Sequence, residues 1–126
     1  MTEIYVTRPF IRWMRKVDIS NDVLLLAVTE MQSGLIDADL GRHVFKKRVA
    51  VQGRGKRSGA RTIVASNHND RWIFLLGFLK SEQANIDVDE VKAIQELASD
   101  YLALNKAEVA VMLASKAWTR LNSNEN

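Results

Sequence analysis

Hydrophobic spacing divides this chain into a helical front, a period-two middle and a helical end. Ile4-Tyr5-Val6 is a short β-branched and aromatic run that predicts a strand. Thr7 follows as a cap and Pro9 falls in a first helical turn, where its missing N–H costs nothing. Phe10, Ile11, Trp13, Met14 and Val17 then recur at helical spacing among Arg12, Arg15 and Lys16. Ser20-Asn21-Asp22 opens a second helix, whose apolar positions Val23, Leu24, Leu26, Ala27 and Met31 run until Gly34. These two segments predict a helical hairpin.

From Val44 the period becomes two. Val44 to Val51, Arg61 to Ser66 and Trp72 to Phe78 are rich in Val, Ile, Phe and Trp and are separated by the turn-prone stretches QGRGKRSGA and NHND, which predicts an antiparallel meander. Alternation sets Phe45, Lys47, Val49 and Val51 on one face, with Val44, Lys46, Arg48 and Ala50 on the other; Arg61 shares a face with Ile63. After Lys80-Ser81-Glu82, helical spacing returns in DVDEVKAIQELASDYLAL through Val91, Ile94, Leu97, Ala98, Tyr101 and Leu102. A last helix opens at Asn105, with Glu108 as its capping-box partner, and is read as reaching about Leu121. The predicted order is βααβββαα. Strands clustered between helices imply an α+β fold in one domain over residues 1–126, an antiparallel sheet with the N-terminal helical hairpin on one face and the C-terminal helices following.

Composition narrows the setting. A chain of 126 residues, 47% hydrophobic, can bury a core without a staple. The absence of cysteine removes disulfides, thiolate metal sites and a Cys nucleophile, and it fits a reducing, cytoplasmic environment. No apolar run approaches the roughly 20 residues that span a bilayer. Glu3, Arg8 and Pro9 interrupt any signal-like segment, so neither export nor membrane insertion is expected.

Charge changes the picture more. The net of +3 averages over −2 for residues 1–40, +9 for residues 41–80 and −4 for residues 81–126, and the middle third holds ten basic residues against the single acid Asp70. A field segregated in this way draws a polyanion to one surface. Lys46 and Arg48 on one strand, Arg54, Lys56 and Arg57 on a Gly-rich loop, Arg61 at the next strand start and Lys80 beyond the last strand converge if adjacent strands pair in sequence order. Such a cluster suits the neutralisation of phosphates along a nucleic-acid backbone. The bland alternative is a solvated hairpin with a charged tip, but ten basics to one acid exceeds what solubility requires.

Other ligand chemistries find little support. GRGKRSG leads into a strand, whereas a Walker loop or dinucleotide fingerprint opens a helix. His43 and His68 are far apart and read as surface imidazoles, Asp37 and Asp39 read as a turn pair, and no metal is expected. Most aromatic positions belong to the core pattern, with Trp72 or Phe78 the best candidates for stacking on a base. RNA cleavage through the ribose 2′-hydroxyl needs a base, an acid for the leaving group and cations at the phosphate. Lys46 or Lys80 could serve as base or acid, and Glu82 is read as the one carboxylate near the cluster, acting there or pairing with a neighbouring cation.

Two segments, DLGRHVFKKRVAVQGRGKRSGARTIVAS (39 to 66) and WIFLLGFLKSEQANI (72 to 86), resemble the RelE/HigB-like toxins of bacterial type II toxin–antitoxin systems. The shared pattern is a basic strand, a Gly/Lys/Arg loop, a Gly-x-Arg entering the next strand and a Phe-x-Lys-x-Glu after the last. With the element order it covers residues 4 to about 104, leaving the final helix outside the match. The resemblance implies a toxin that docks in the ribosomal decoding site and cleaves mRNA without metal or organic cofactor, restrained by a cognate helix-turn-helix antitoxin. Whether the two assemble as a heterotetramer stays open. It also implies charge stabilisation by Arg61 and Arg48, proton transfer or phosphate contact by Lys46 and Lys80, and loop contacts by Lys56 and Arg57; beside these, position in the cluster adds Glu82 to the catalytic candidates and Lys47 and Arg54 to the RNA or ribosome contacts. One departure is that several relatives place a Tyr or His near the chain's end, whereas the late tyrosine here, Tyr101, lies in an apolar stripe; acid and base therefore stay open. A ParE-like gyrase inhibitor and a non-enzymatic nucleic-acid- or antitoxin-binding protein are the alternatives.

Overall fold

The computed structural model describes residues 2–51, 55–68, 70–83 and 85–122, the side chains of 55–58 excepted. The elements run β1 (Glu3–Thr7), α1 (Arg8–Lys16), α2 (Asn21–Gln32), β2 (Ala38–Gly41), β3 (Val44–Val51), β4 (Gly55–Ser66), β5 (Arg71–Leu79), α3 (Val88–Leu102), α4 (Lys106–Ala114) and β6 (Trp118–Leu121). The strands form one six-stranded sheet in the order β2-β3-β4-β5-β1-β6.

The local signals behave as their chemistry dictates. The Thr7 hydroxyl accepts the Phe10 amide at the start of α1 and donates to the Leu75 carbonyl of β5, so one side chain caps the helix and ties it to the sheet. Ser20 accepts the Val23 amide, and Gly34, at φ +95°, turns the chain after α2. Both C-terminal helices carry capping boxes, Asp87 with Glu90 and Asn105 with Glu108.

The meander β3-β4-β5 is antiparallel, as the alternation predicts. Four features depart from expectation. Strand β4 begins at Gly55, so most of the anticipated loop is strand, paired from Val51↔Gly55. The turn expected at Asp37 and Asp39 is in part strand: β2 contains Asp39 and Gly41, both poor strand formers, and is an edge strand joined to β3 through Gly41, Arg42 and His43, all at positive φ. The last helix stops at Ala114 rather than near Leu121: Lys116 takes φ +67° and β6 runs antiparallel to β1, covering an edge that would otherwise stay unpaired. The sheet is also mixed, since β1 lies parallel to β5, with the α1–α2 hairpin carrying the chain to the far edge.

Both faces of the sheet are covered, which gives two cores. Phe10, Met14, Leu24, Val28 and Met31 of the hairpin pack on Val6, Val49, Val64, Trp72 and Phe74. On the opposite face Ala98 and Val109 of the C-terminal helices meet Tyr5, Val44, Ile63, Ile73 and Trp118. Trp118 explains why the chain returns as a strand: its ring lies 5.0 Å from both Tyr5 and Tyr101. Arg71 ties the end of α3 to β5, donating to the Tyr101 carbonyl in its last turn at 3.0 Å and to the Leu104 carbonyl just beyond it at 2.8 Å.

At Gly77 the hairpin packs directly on the strand backbone, because a Cβ there would sit inside the ring of Trp13. Gly77→Ala therefore displaces Trp13 and lowers stability by about 1–3 kcal/mol. Urea unfolding of this variant against Trp13→Leu/Gly77→Ala checks the assignment, since the double variant should recover part of the loss.

Candidate nucleic-acid interface

The C-terminal helices cover only part of their sheet face, and the basic residues occupy the remainder. Alternation along β3 and β4 places Lys46, Arg48 and Arg61 on this face, and the register sets Arg48 directly opposite Arg61, with Arg61 in turn opposite Phe78. Lys80 follows β5 two residues beyond Phe78. Two like charges facing each other across an antiparallel pair are unfavourable unless something offsets them.

Asp37, just before β2, supplies the offset. Its carboxylate accepts the Arg48 backbone amide at 2.6 Å and the Arg48 Nε at 2.7 Å. Burial alone would raise the Asp37 pKa, but the two hydrogen bonds from Arg48 and the charges of Arg48 and Lys47 prevail and hold it below the usual carboxylate value. With its folded pKa depressed, Asp37 contributes stability that is present above the unfolded value of about 3.9 and lost as pH falls through the folded one. The difference in thermal midpoint between wild type and Asp37→Asn should accordingly stay constant from neutral pH to about pH 5 and shrink in stronger acid.

Arg61 is half-buried, and its Nη1 is buried without a hydrogen-bond partner among the described residues. A guanidinium nitrogen left unsatisfied inside a protein is costly, so its retention beside a second arginine needs a reason. An anion seated between Arg48 and Arg61 would provide one. Lys46 is half-buried, and its Nζ reaches the Asn85 Oδ1 at 3.4 Å.

The expected site residues divide accordingly. Lys46, Arg48, Arg61 and Lys80 come to one face and its end. Glu82 is exposed in the turn after Lys80 and forms no ion pair or hydrogen bond through its side chain with a described residue; the carboxylate that does meet the cluster is Asp37. Lys47 is withdrawn from the interface. It points to the hairpin face, is 4% exposed, and pairs with Glu30 at 3.0 Å while donating to the Leu35 carbonyl at 2.8 Å. Trp72 and Phe78, the stacking candidates, are core residues at 0% and 5% exposure. Arg54 lies outside the described residues, and the side chains of Lys56 and Arg57, at the start of β4, do as well. Asp37 itself escapes a reading by sequence, since only the β2–β3 register brings the turn before β2 alongside Arg48.

Among the described residues no group of three His, Cys, Asp or Glu side chains could hold a metal ion, and no helix is long and apolar enough to cross a membrane. His43 and His68 are both exposed.

An α+β domain with a cationic, partly uncovered sheet face has the electrostatics that attract a polyanion. Residues 2–121 match the family described as the RelE toxin of the RelE / RelB toxin-antitoxin system, and the chain belongs to that family. It is thus a toxin of a toxin–antitoxin system, and the family implies an antitoxin as partner. No curated protein matches the sequence.

Proposed function

We propose that this toxin is a metal-independent endoribonuclease that cuts mRNA on the ribosome and so halts translation in the cytoplasm. The observation that carries the reading is the buried Nη1 of Arg61, without a hydrogen-bond partner among the described residues, on the face shared with Arg48. In the proposed reaction the ribose 2′-oxygen attacks the adjacent phosphorus, its proton passes to a base, and the 5′-oxygen leaves with a proton from an acid. Products are a 2′,3′-cyclic phosphate and a 5′-hydroxyl. Arg61 and Arg48 neutralise the charge that develops on the phosphoryl oxygens. Lys46 and Lys80 flank them as proton carriers or phosphate contacts, and Arg54, Lys56 and Arg57 are proposed as further contacts to ribosome or message. Glu82 serves at most at the rim. Family membership supports the reading, since RelE toxins are generally ribonucleases. The proposed partner is a helix-turn-helix antitoxin, with which a heterotetramer is one assembly to test.

Induced expression of the chain alone should arrest growth and shorten cellular transcripts within minutes. Trapped gyrase–DNA complexes with intact transcripts would instead assign a ParE-like inhibitor. Salt-sensitive RNA binding that never leads to cleavage would leave a binding protein.

A further inference from the structure

We propose that Asp37 is a positioning residue that fixes the Arg48 guanidinium for the scissile phosphate; this rests on the RNA-cleavage reading above. Asp37 grips Arg48 at two points of the same residue, the backbone amide at 2.6 Å and Nε at 2.7 Å, which fixes the side chain from its root rather than only neutralising its tip. The bond to Nε leaves the two Nη nitrogens, neither of which bonds to a described residue, to present their donors to a ligand. The carboxylate is itself held, because the Asp37 amide donates to the Lys46 carbonyl at 3.1 Å and continues the β2–β3 ladder.

Two features would let Arg48 stray without this grip. Arg61 stands directly opposite and repels it. A cavity of about 270 Å³ opens beside it, lined by Gly34, Leu35, Ile36, Asp37, Lys47 and Arg48, and gives the side chain room to move. The Arg48 side chain keeps 45% of its surface exposed, so packing does not hold it in place of the carboxylate. An acid at a phosphate-binding face weakens binding by its charge, and its presence there makes sense if orientation is worth more than the lost attraction.

The test is a double-mutant cycle on the full chain, with single-turnover cleavage of an mRNA in a reconstituted translating system and, separately, affinity for a fluorescent RNA oligonucleotide. Asp37→Asn should slow cleavage about 10- to 100-fold with oligonucleotide affinity unchanged or raised. In an Arg48→Ala background the same substitution should have no further effect on the rate. Rates are taken per folded molecule, from circular dichroism of each sample, and Asp37→Ser provides a second variant should the amide disturb the fold. A wild-type rate in Asp37→Asn, or an equal loss in both backgrounds, overturns the inference while leaving the cleavage reading standing. A wild-type protein that cuts no transcript overturns both.

Discussion

Arg61→Ala lowers mRNA cleavage at the ribosome by about 10²- to 10³-fold, the loss seen when one preorganised donor to a developing oxyanion is removed. The size of the effect follows from the position. Arg61 is half-buried between β3 and β5, opposite Arg48 and Phe78, so its charge is incompletely screened and its direction is set by the sheet. Stability should move the other way or not at all, because the substitution deletes a buried nitrogen that has no partner among the described residues. The predicted combination is a large catalytic loss with an unchanged or slightly higher unfolding midpoint. Binding to a single-stranded oligonucleotide should lose about one phosphate contact, seen as a reduction of roughly 0.7 in the slope of log affinity against log salt. Arg61→Lys should restore most of that slope and little of the rate, because an ammonium cannot present the planar fork.

The second large effect concerns stability. Lys47→Ala should cost about 2–4 kcal/mol and Lys47→Met less, whereas the paired replacement Lys47→Met/Glu30→Leu should come closest to neutral. Lys47 lies almost wholly buried between β3 and α2, with Glu30 at 3.0 Å and the Leu35 carbonyl at 2.8 Å. Both single substitutions remove the charge beside Glu30 and the donor to the Leu35 carbonyl, but alanine also opens a gap that the unbranched methionine chain fills. The alanine value falls short of a fully buried pair because the Glu30 side chain retains 19% exposure. Urea unfolding of both variants separates this role from RNA contact. If Lys47 belonged to the interface, both substitutions would weaken RNA binding and neither would change the unfolding midpoint much.

Lys47 also shows where a reading of the chain alone stops. Alternation along Val44 to Val51 places it correctly on the face opposite Lys46 and Arg48, but charge taken in bulk counts it with the surface cations. Only the hairpin, lying across that face with Glu30 directed at the strand, converts it into a core residue. The long elements with strong periodicity and caps, α1, α2, α3 and the meander, are legible because their local signals agree with their burial. The short edge strands are not. β2 and β6 have four residues each, β2 contains Asp39 and Gly41, and both exist because a neighbouring strand offers an unpaired edge. Convergence of Lys46, Arg48, Arg61 and Lys80 was readable from strand alternation with sequential pairing. The placement of Asp37 against Arg48 was not, since it depends on β2.

The most direct test maps the 5′ ends of a defined mRNA in a reconstituted translation system given purified wild-type protein or Arg61→Ala. The expected result is new 5′-hydroxyl ends that fall inside translated codons, depend on ribosomes bound to the message, and fade by at least about 10²-fold with Arg61→Ala. Intact message under translating conditions, or cleavage that Arg61→Ala leaves at the wild-type rate, would contradict it.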